Sequence, residues 1–279
     1  MDYSRWIGRT RSREAQLDPW PAQALQATLG RGEGPAIGSG DPLPCLWHWI
    51  YFLETPDRAA IGPDGHPRRG DFLPSNLPER RMFAGARTTI VEPLRIGSPA
   101  QVFETLVEVV DKRTGPDALS VVTMDYRYVQ DGRDRVRETR DFVYLASRPR
   151  PATEIQPPPP AAPVEASDGQ IVPDAVMLLR YSALTFNAHR IHYDRDYATR
   201  EEGYPERVVH GPLTATLLVE HLRRSGVGEL EHFEFRAKRP LFVNAPLSLR
   251  HRAPADGAWE VEALTPDGEI AMAAKARSR

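Results

Sequence analysis

The stretch that most limits how this chain can fold is Val209-His-Gly-Pro-Leu-Thr-Ala-Thr-Leu-Leu218 and the residues just after it. Gly211-Pro212 is a helix start, and Gly226 lies just past the last helical position, so the pattern predicts a helix over 212–224. Leu213, Leu217, Leu218, Val219 and Leu222 make that helix apolar on most of its faces. Such a helix has to be covered on several sides at once. A strongly curved antiparallel sheet wrapped around it provides that cover.

The strands for such a sheet come in two sets. Alternating segments at 82–91, 101–111, 119–130 and 135–146 form one meander, with Gln130-Asp-Gly-Arg133 as a hairpin turn between the last two. A second set follows the apolar helix, at 231–238, 246–252, 259–264 and 269–275. Each set is preceded by helical segments. In the first half these are two short pieces within residues 1–32, one started by Asp18-Pro19-Trp20-Pro21. In the second they are predicted at 174–186 and 194–202, the latter capped by Asp194, ahead of the apolar helix itself. Pro93-Leu-Arg-Ile-Gly-Ser-Pro99 is echoed by Pro240-Leu-Phe-Val-Asn-Ala-Pro246 at the same step of the same order, which suggests a duplication.

Between the halves stand Pro149, Pro151 and the run Pro157 to Pro160. A stretch of this kind favours extended geometry and acts as a semi-rigid spacer. The chain is therefore expected to divide into residues 1–148, a linker over 149–168, and residues 169–279. Two further segments of the first half stand out. Leu46-Trp-His-Trp-Ile-Tyr-Phe-Leu53 is densely aromatic, and Trp47, Trp49 and Tyr51 are either core or the wall of a tunnel. Residues 55–80, rich in proline, glycine and charge, read as a long surface loop or lid.

The formal net charge of −2 offers no basic excess for nucleic acid. No apolar run reaches the length of a membrane-spanning helix, and the first residues lack the apolar core of a signal peptide, so a cytoplasmic protein is expected. The single cysteine, Cys45, excludes an internal disulfide and, set among apolar residues, is expected to be a buried thiol.

The chemistry concentrates in Tyr181-Ser-Ala-Leu-Thr-Phe-Asn-Ala-His-Arg-Ile-His-Tyr-Asp194. An apolar helix ends here in a turn carrying Asn187, His189, His192 and Asp194, ahead of the unpaired N–H donors that open the helix at Gly211. His189, His192 and His210 suggest zinc at first sight, but no further ligand follows at helical spacing, and neither a metal nor a cofactor is expected.

The stretch from Tyr181 to Ala198 resembles the hydratase motif of the MaoC-like hot-dog enzymes, matching at Tyr181, Leu184, Thr185, Ile191, His192 and Ala198. It departs from that motif at Phe186, where the family has glycine, at Asn187, where it has the catalytic aspartate, and at His189-Arg190, where it has Asn-Pro. Those departures are similar to one branch: the two-domain hydroxyacyl-thioester dehydratases and the mesaconyl-C4-CoA and itaconyl-CoA hydratases. The likeness runs along nearly the whole chain, including the Trp-rich run and Arg80-Arg-Met-Phe-Ala-Gly85.

The resemblance implies an α+β tandem hot dog, each half a curved antiparallel sheet around a central helix, with the motif kept only in the second half. Whether two such chains pair into a dimer is left open. It also implies a hydro-lyase acting on an enoyl-CoA thioester, with mesaconyl-C4-CoA (3-methylfumaryl-CoA) or itaconyl-CoA hydrated to citramalyl-CoA. His192 would be the base, Asn187 would orient water or substrate, and the Gly211 N–H would hold the thioester oxygen. Asp194, a helix cap first of all, and His189 and His210 are candidate supports. A CoA thioester also calls for cations, for which Arg81, Arg87, Arg190, Arg236 and Arg239 are candidates. Rival readings are a 3-hydroxyacyl-ACP or -CoA dehydratase of fatty-acid metabolism, a non-catalytic acyl-thioester-binding protein, and a thioesterase.

Overall fold

The computed structural model describes residues 2–30, 35–70, 72–146, 169–255 and 257–279. The predicted 149–168 linker lies outside them. Ten strands form one sheet in the order β1-β3-β4-β5-β2-β7-β10-β9-β8-β6. The first half supplies β1 (Thr10–Gln16), β2 (Arg80–Ile90), β3 (Pro99–Arg113), β4 (Leu119–Gln130) and β5 (Arg133–Leu145). The second supplies β6 (Gln170–Ile171), β7 (Leu230–Ala237), β8 (Leu247–Ala255), β9 (Ala258–Leu264) and β10 (Ile270–Ser278). Read outward from the centre, the two series are β2, β5, β4, β3, β1 and β7, β10, β9, β8, β6. Each strand of one half therefore has its counterpart in the other, and the fold is a tandem hot dog.

The halves join edge to edge through β2 and β7, antiparallel from Gly85↔Arg236 to Thr89↔His232. α3 (Gly211–Arg224) packs against β8, β9 and β10 of its own half and against β2 of the other. Leu213, Ala215, Leu218, Val219 and Leu222 are fully buried there. At about 1.5–3 kcal/mol for each large apolar side chain removed from water, this helix is a main source of stability for both halves. α1 (Pro19–Thr28) and α2 (Ala175–Leu184) pack on each other.

The echoed segments occupy equivalent links, β2 to β3 and β7 to β8. Their leucines and β-branched residues (Leu94 and Ile96; Leu241 and Val243) are all buried. Their fifth residues, Gly97 and Asn244, both take positive φ, 92° and 61°. Glycine and asparagine are the residues that most readily accept that conformation. The Asp131-Gly132 hairpin also has both φ values positive, as the mirror-image turn requires.

One expectation fails. Thr10–Gln16, placed in a helical region by its sequence, is the edge strand β1, paired with β3 from Thr10↔Thr105 to Gln16↔Pro99. Its burial alternates residue by residue, but because the inward face carries two arginines and a single alanine instead of a run of apolar residues, the period-2 signal is invisible. Glu104 of β3 pairs with Arg11 and Arg13 there, replacing the apolar contact. The aromatic run forms a single 3-10 turn, Trp47–Ile50, at the point in chain order where the second half has α3.

The seam depends on a close approach. A side chain at Gly85 would meet the Phe235 carbonyl oxygen well inside contact distance. Gly85→Ala is therefore expected to destabilise the fold by roughly 1–3 kcal/mol, read as a lower thermal unfolding midpoint, whereas Gly228→Ala, where a side chain meets nothing, serves as the control.

Candidate active site

The polar turn is built by the way α2 ends. Asp174 caps its start by accepting from the Met177 N–H at 2.7 Å, and the helix runs to Leu184. Phe186 then adopts φ 48°, a left-handed conformation that costs a non-glycine residue about 1–2 kcal/mol. The Asn187 N–H closes the reversal on the Ser182 carbonyl at 2.9 Å. The Asn187 Oδ1 accepts from the His189 N–H at 2.9 Å, shaping the next turn, and a 3-10 turn, Arg190–His192, follows.

Residues 208–211 are strapped to this turn. The Val208 N–H donates to the Ile191 carbonyl at 2.9 Å, and the Val209 N–H to that of Leu241 at 2.8 Å. The His192 Nδ1 lies 2.7 Å from the Val208 carbonyl oxygen. A carbonyl can only accept, so Nδ1 carries the hydrogen and Nε2 keeps its lone pair. The His192 ring stacks at 3.7 Å on that of His210, the residue immediately before Gly211. His210 is wholly buried, and its Nε2 lies 2.8 Å from the Ser182 Oγ.

Burial pushes the His192 imidazole down to about 4, against the Val208 carbonyl, which favours the protonated ring. His189 is pushed far below the ordinary histidine range by burial and by the neighbouring His66 and His192. His210 is lowered by burial and by His192 and His189. At neutral pH the group is a cluster of uncharged rings, His210 stacked on His192 and His189 edge-on to it.

His192, Gly211 and Asn187 line one cavity of about 1300 Å³, together with His189. Gly211 is the first residue of α3 and has no carbonyl four residues back within the helix, so its N–H is one of the unpaired donors of a helix start. Pro212 beside it has no N–H. The remaining candidates are more scattered. Arg81 and Arg239 line the cavity, while Arg87, Arg190, Asp194, Arg236 and His210 are not among its lining residues. Arg190 and Asp194 pair with each other at 2.7 Å, and Asp194 caps the following turn through the Tyr197 N–H at 3.0 Å. Arg87 pairs with Asp141 at 2.8 Å, and Arg236 is exposed.

The first half supplies the opposite wall, which the motif did not reveal. Trp49 lines the cavity, whereas Trp47 is buried core and the Tyr51 hydroxyl is taken by the Asp18 carbonyl. Cys45 is buried, as expected. The buried Glu138 accepts from the Trp49 Nε1 at 2.9 Å and the Arg140 Nε at 3.0 Å, with the His48 Nε2 at 2.7 Å. Burial alone would raise this carboxyl, but Arg140 and His48 hold it down at about 2. The 55–80 segment contributes His66, whose ring lies 4.1 Å from that of His189, and Gly65, which rests directly on the Ala188 backbone. Asp64, His66 and His189 bring their ligating atoms within 4.8 Å of one another, near enough for a divalent ion. Asp64 and His66 are already hydrogen-bonded at 3.0 Å. Only the fold brings His66 and the wall residues to the site, and no spacing rule in the sequence would have found them.

Because these three imidazoles are held neutral, an unfolded chain takes up protons below pH 6.5 that the folded chain refuses. Their contribution to stability is complete above about pH 6.5 and falls with the pH below that, the share of His192 being lost by about pH 4 and those of His189 and His210 continuing to fall beneath it. The unfolding midpoint should fall over that window, and His192→Gln should remove a share of the slope on the order of 3 kcal/mol.

The sequence matches the profile of the hydroxyacyl-thioester dehydratase type 2 family over residues 46–243. It is 44% identical over 277 residues to the mesaconyl-C(4)-CoA hydratase of Chloroflexus aurantiacus, covering 98% of this chain and 96% of that one. It is 45% identical over 80 residues to the mitochondrial hydroxyacyl-thioester dehydratase type 2 of Schizosaccharomyces pombe, covering 28% of this chain and 27% of that one. Among solved structures, a MaoC-like dehydratase from Phytophthora capsici superposes with a TM-score of 0.68 at 13% identity, covering 100% of this chain and 98% of that one. A Mycobacterium tuberculosis protein described as having a double hot-dog fold superposes with a TM-score of 0.61 at 14% identity, covering 97% and 95%. The profile match and the full-length likeness agree with the fold, and the chain belongs to the hydroxyacyl-thioester dehydratase type 2 family.

Proposed function

We propose that this chain adds water reversibly to the double bond of an α,β-unsaturated acyl-CoA, with mesaconyl-C4-CoA as substrate and citramalyl-CoA as product. The observation that carries the reading is a neutral His192, its Nδ1 tied to Val208, lining the same cavity as the first residue of α3. The acyl group comes from the 44% identity to the Chloroflexus hydratase over nearly the full length of both chains.

The steps follow from those atoms. The His192 Nε2 takes a proton from water as the water oxygen bonds to Cβ, and the π electrons pass to the thioester oxygen as an enolate. The Gly211 N–H and the positive end of α3 stabilise that oxygen, a donor whose loss typically costs about 2.7–4 kcal/mol of transition-state stabilisation. The imidazolium then returns its proton to Cα, and a ring pushed down to about 4 gives a proton up readily. Asn187 has its Oδ1 occupied by the His189 N–H, which leaves its Nδ2 to donate to the attacking water. Run backwards, the same steps are a dehydration. Arg58, Lys238 and Arg239, exposed residues of the cavity lining, are suited to the CoA phosphates.

The purified chain should convert mesaconyl-C4-CoA to citramalyl-CoA, and a clear preference for crotonyl-CoA would reject the diacid substrate. His192→Ala should lower kcat by roughly 10²–10⁴-fold with little change in KM; wild-type turnover in that variant would remove His192 from the role. The acid limb of the kcat/KM profile should lie near pH 4, below the ordinary histidine value of 6.5, because the base is lost only when His192 protonates.

A further inference from the structure

The wall from the first half holds a cation that the hydration steps leave unused. Arg81, near the start of β2, is half-buried, lines the cavity, and lays its guanidinium over the Phe142 ring at 4.2 Å. The neighbouring acids are already engaged by other side chains. Glu202 pairs with Arg80 at 2.5 Å, Glu138 with Arg140 at 3.0 Å, and Glu104 with Arg11 at 2.6 Å and with Arg13. Asp64 is held by His66 at 3.0 Å. Among the described residues Arg81 has no ion-pair partner. Stacking engages a face of the guanidinium and leaves its in-plane fork of N–H donors available, the geometry that matches a carboxylate.

Its place along the strand gives the reach. Phe83 lies two residues on, on the same face of β2, and its ring stacks on Phe142 at 5.2 Å. The Phe83 carbonyl oxygen lies 3.8 Å from where a side chain on Gly211 would begin. An acyl group whose thioester oxygen rests on the Gly211 N–H therefore starts beside Phe83, one two-residue strand step, roughly 7 Å, from Arg81. A four-carbon acyl chain with a hydrogen bond at each end covers that order of distance.

We propose that Arg81 receives a carboxylate at the far end of the acyl group and so selects dicarboxylic over monocarboxylic acyl thioesters. The assignment rests on the reading of this cavity as an acyl-CoA site. Arg140 also lines the cavity, but its charge is balanced by the buried Glu138.

The test uses two saturated thioesters that cannot be hydrated, so it does not depend on turnover. In calorimetric titrations the wild-type chain should bind succinyl-CoA about 10–100-fold more tightly than butyryl-CoA, the worth of a charge-assisted hydrogen-bonded pair. Arg81→Met should abolish that preference by weakening succinyl-CoA alone, with butyryl-CoA still bound as evidence of a folded site, and Arg81→Lys should restore part of it. Equal weakening of both ligands would make Arg81 a contact to CoA and overturn the proposal. So would a preference that survives Arg81→Met, or its absence in the wild type. Failure of the wild type to bind either thioester would overturn the acyl-CoA site itself, and Arg81 with it.

Discussion

The pairing of β2 with β7 is the interaction on which everything else hangs. Five residue pairs, from Gly85↔Arg236 to Thr89↔His232, turn two five-stranded halves into one sheet. Because the seam runs over α3, that helix is covered from both sides and its apolar faces are all used. The register shift in β2 between Phe83 and Gly85 falls at the same place. Bulges of this kind bend a strand and re-aim its side chains, and here the bent section carries Phe83 past the N-terminus of α3. The cavity exists because the halves meet in this register, its catalytic turn from one and its aromatic wall from the other.

Burial then sets the chemistry of the two walls in opposite ways. On the catalytic side the imidazoles of His189, His192 and His210 are desolvated, the nearby Asp64 being hydrogen-bonded to His66 instead, and all three are driven towards the neutral form. A neutral ring with its Nδ1 hydrogen fixed on Val208 is a base with one available nitrogen. On the facing side Glu138 is equally buried but sits among Arg140, His48 and Trp49, and it stays ionised. A buried charge persists only where partners and hydrogen bonds replace water, so charge is kept on one wall and suppressed on the other.

The two halves also show how a duplicated plan diverges. The turns that begin at Pro93 and Pro240 are kept down to a positive φ at the same position, because a link between equivalent strands must reverse in the same way in each. The helix has not been kept. Where the second half buries α3, the first has the one-turn Trp47–Ile50 segment, and the long 55–80 stretch is laid against the catalytic turn, with Gly65 on Ala188 and His66 beside His189.

What the chain determined alone is what local rules encode. The helix starts at Asp174 and Gly211, the Asp131-Gly132 hairpin, the alternating strands and the motif around His192 are all legible, since each depends on residues a few positions apart. The edge strand Thr10–Gln16 was not, because its inward face is filled by arginines whose partner, Glu104, lies some ninety residues away. Nor was the sorting of the arginines: nothing near Arg87, Arg190 or Arg236 in sequence says that they stay out of the cavity lining while Arg81 belongs to it. Only tertiary structure decides such matters, because a side chain's solvation and charge partners are set by whichever strands and loops are brought against it.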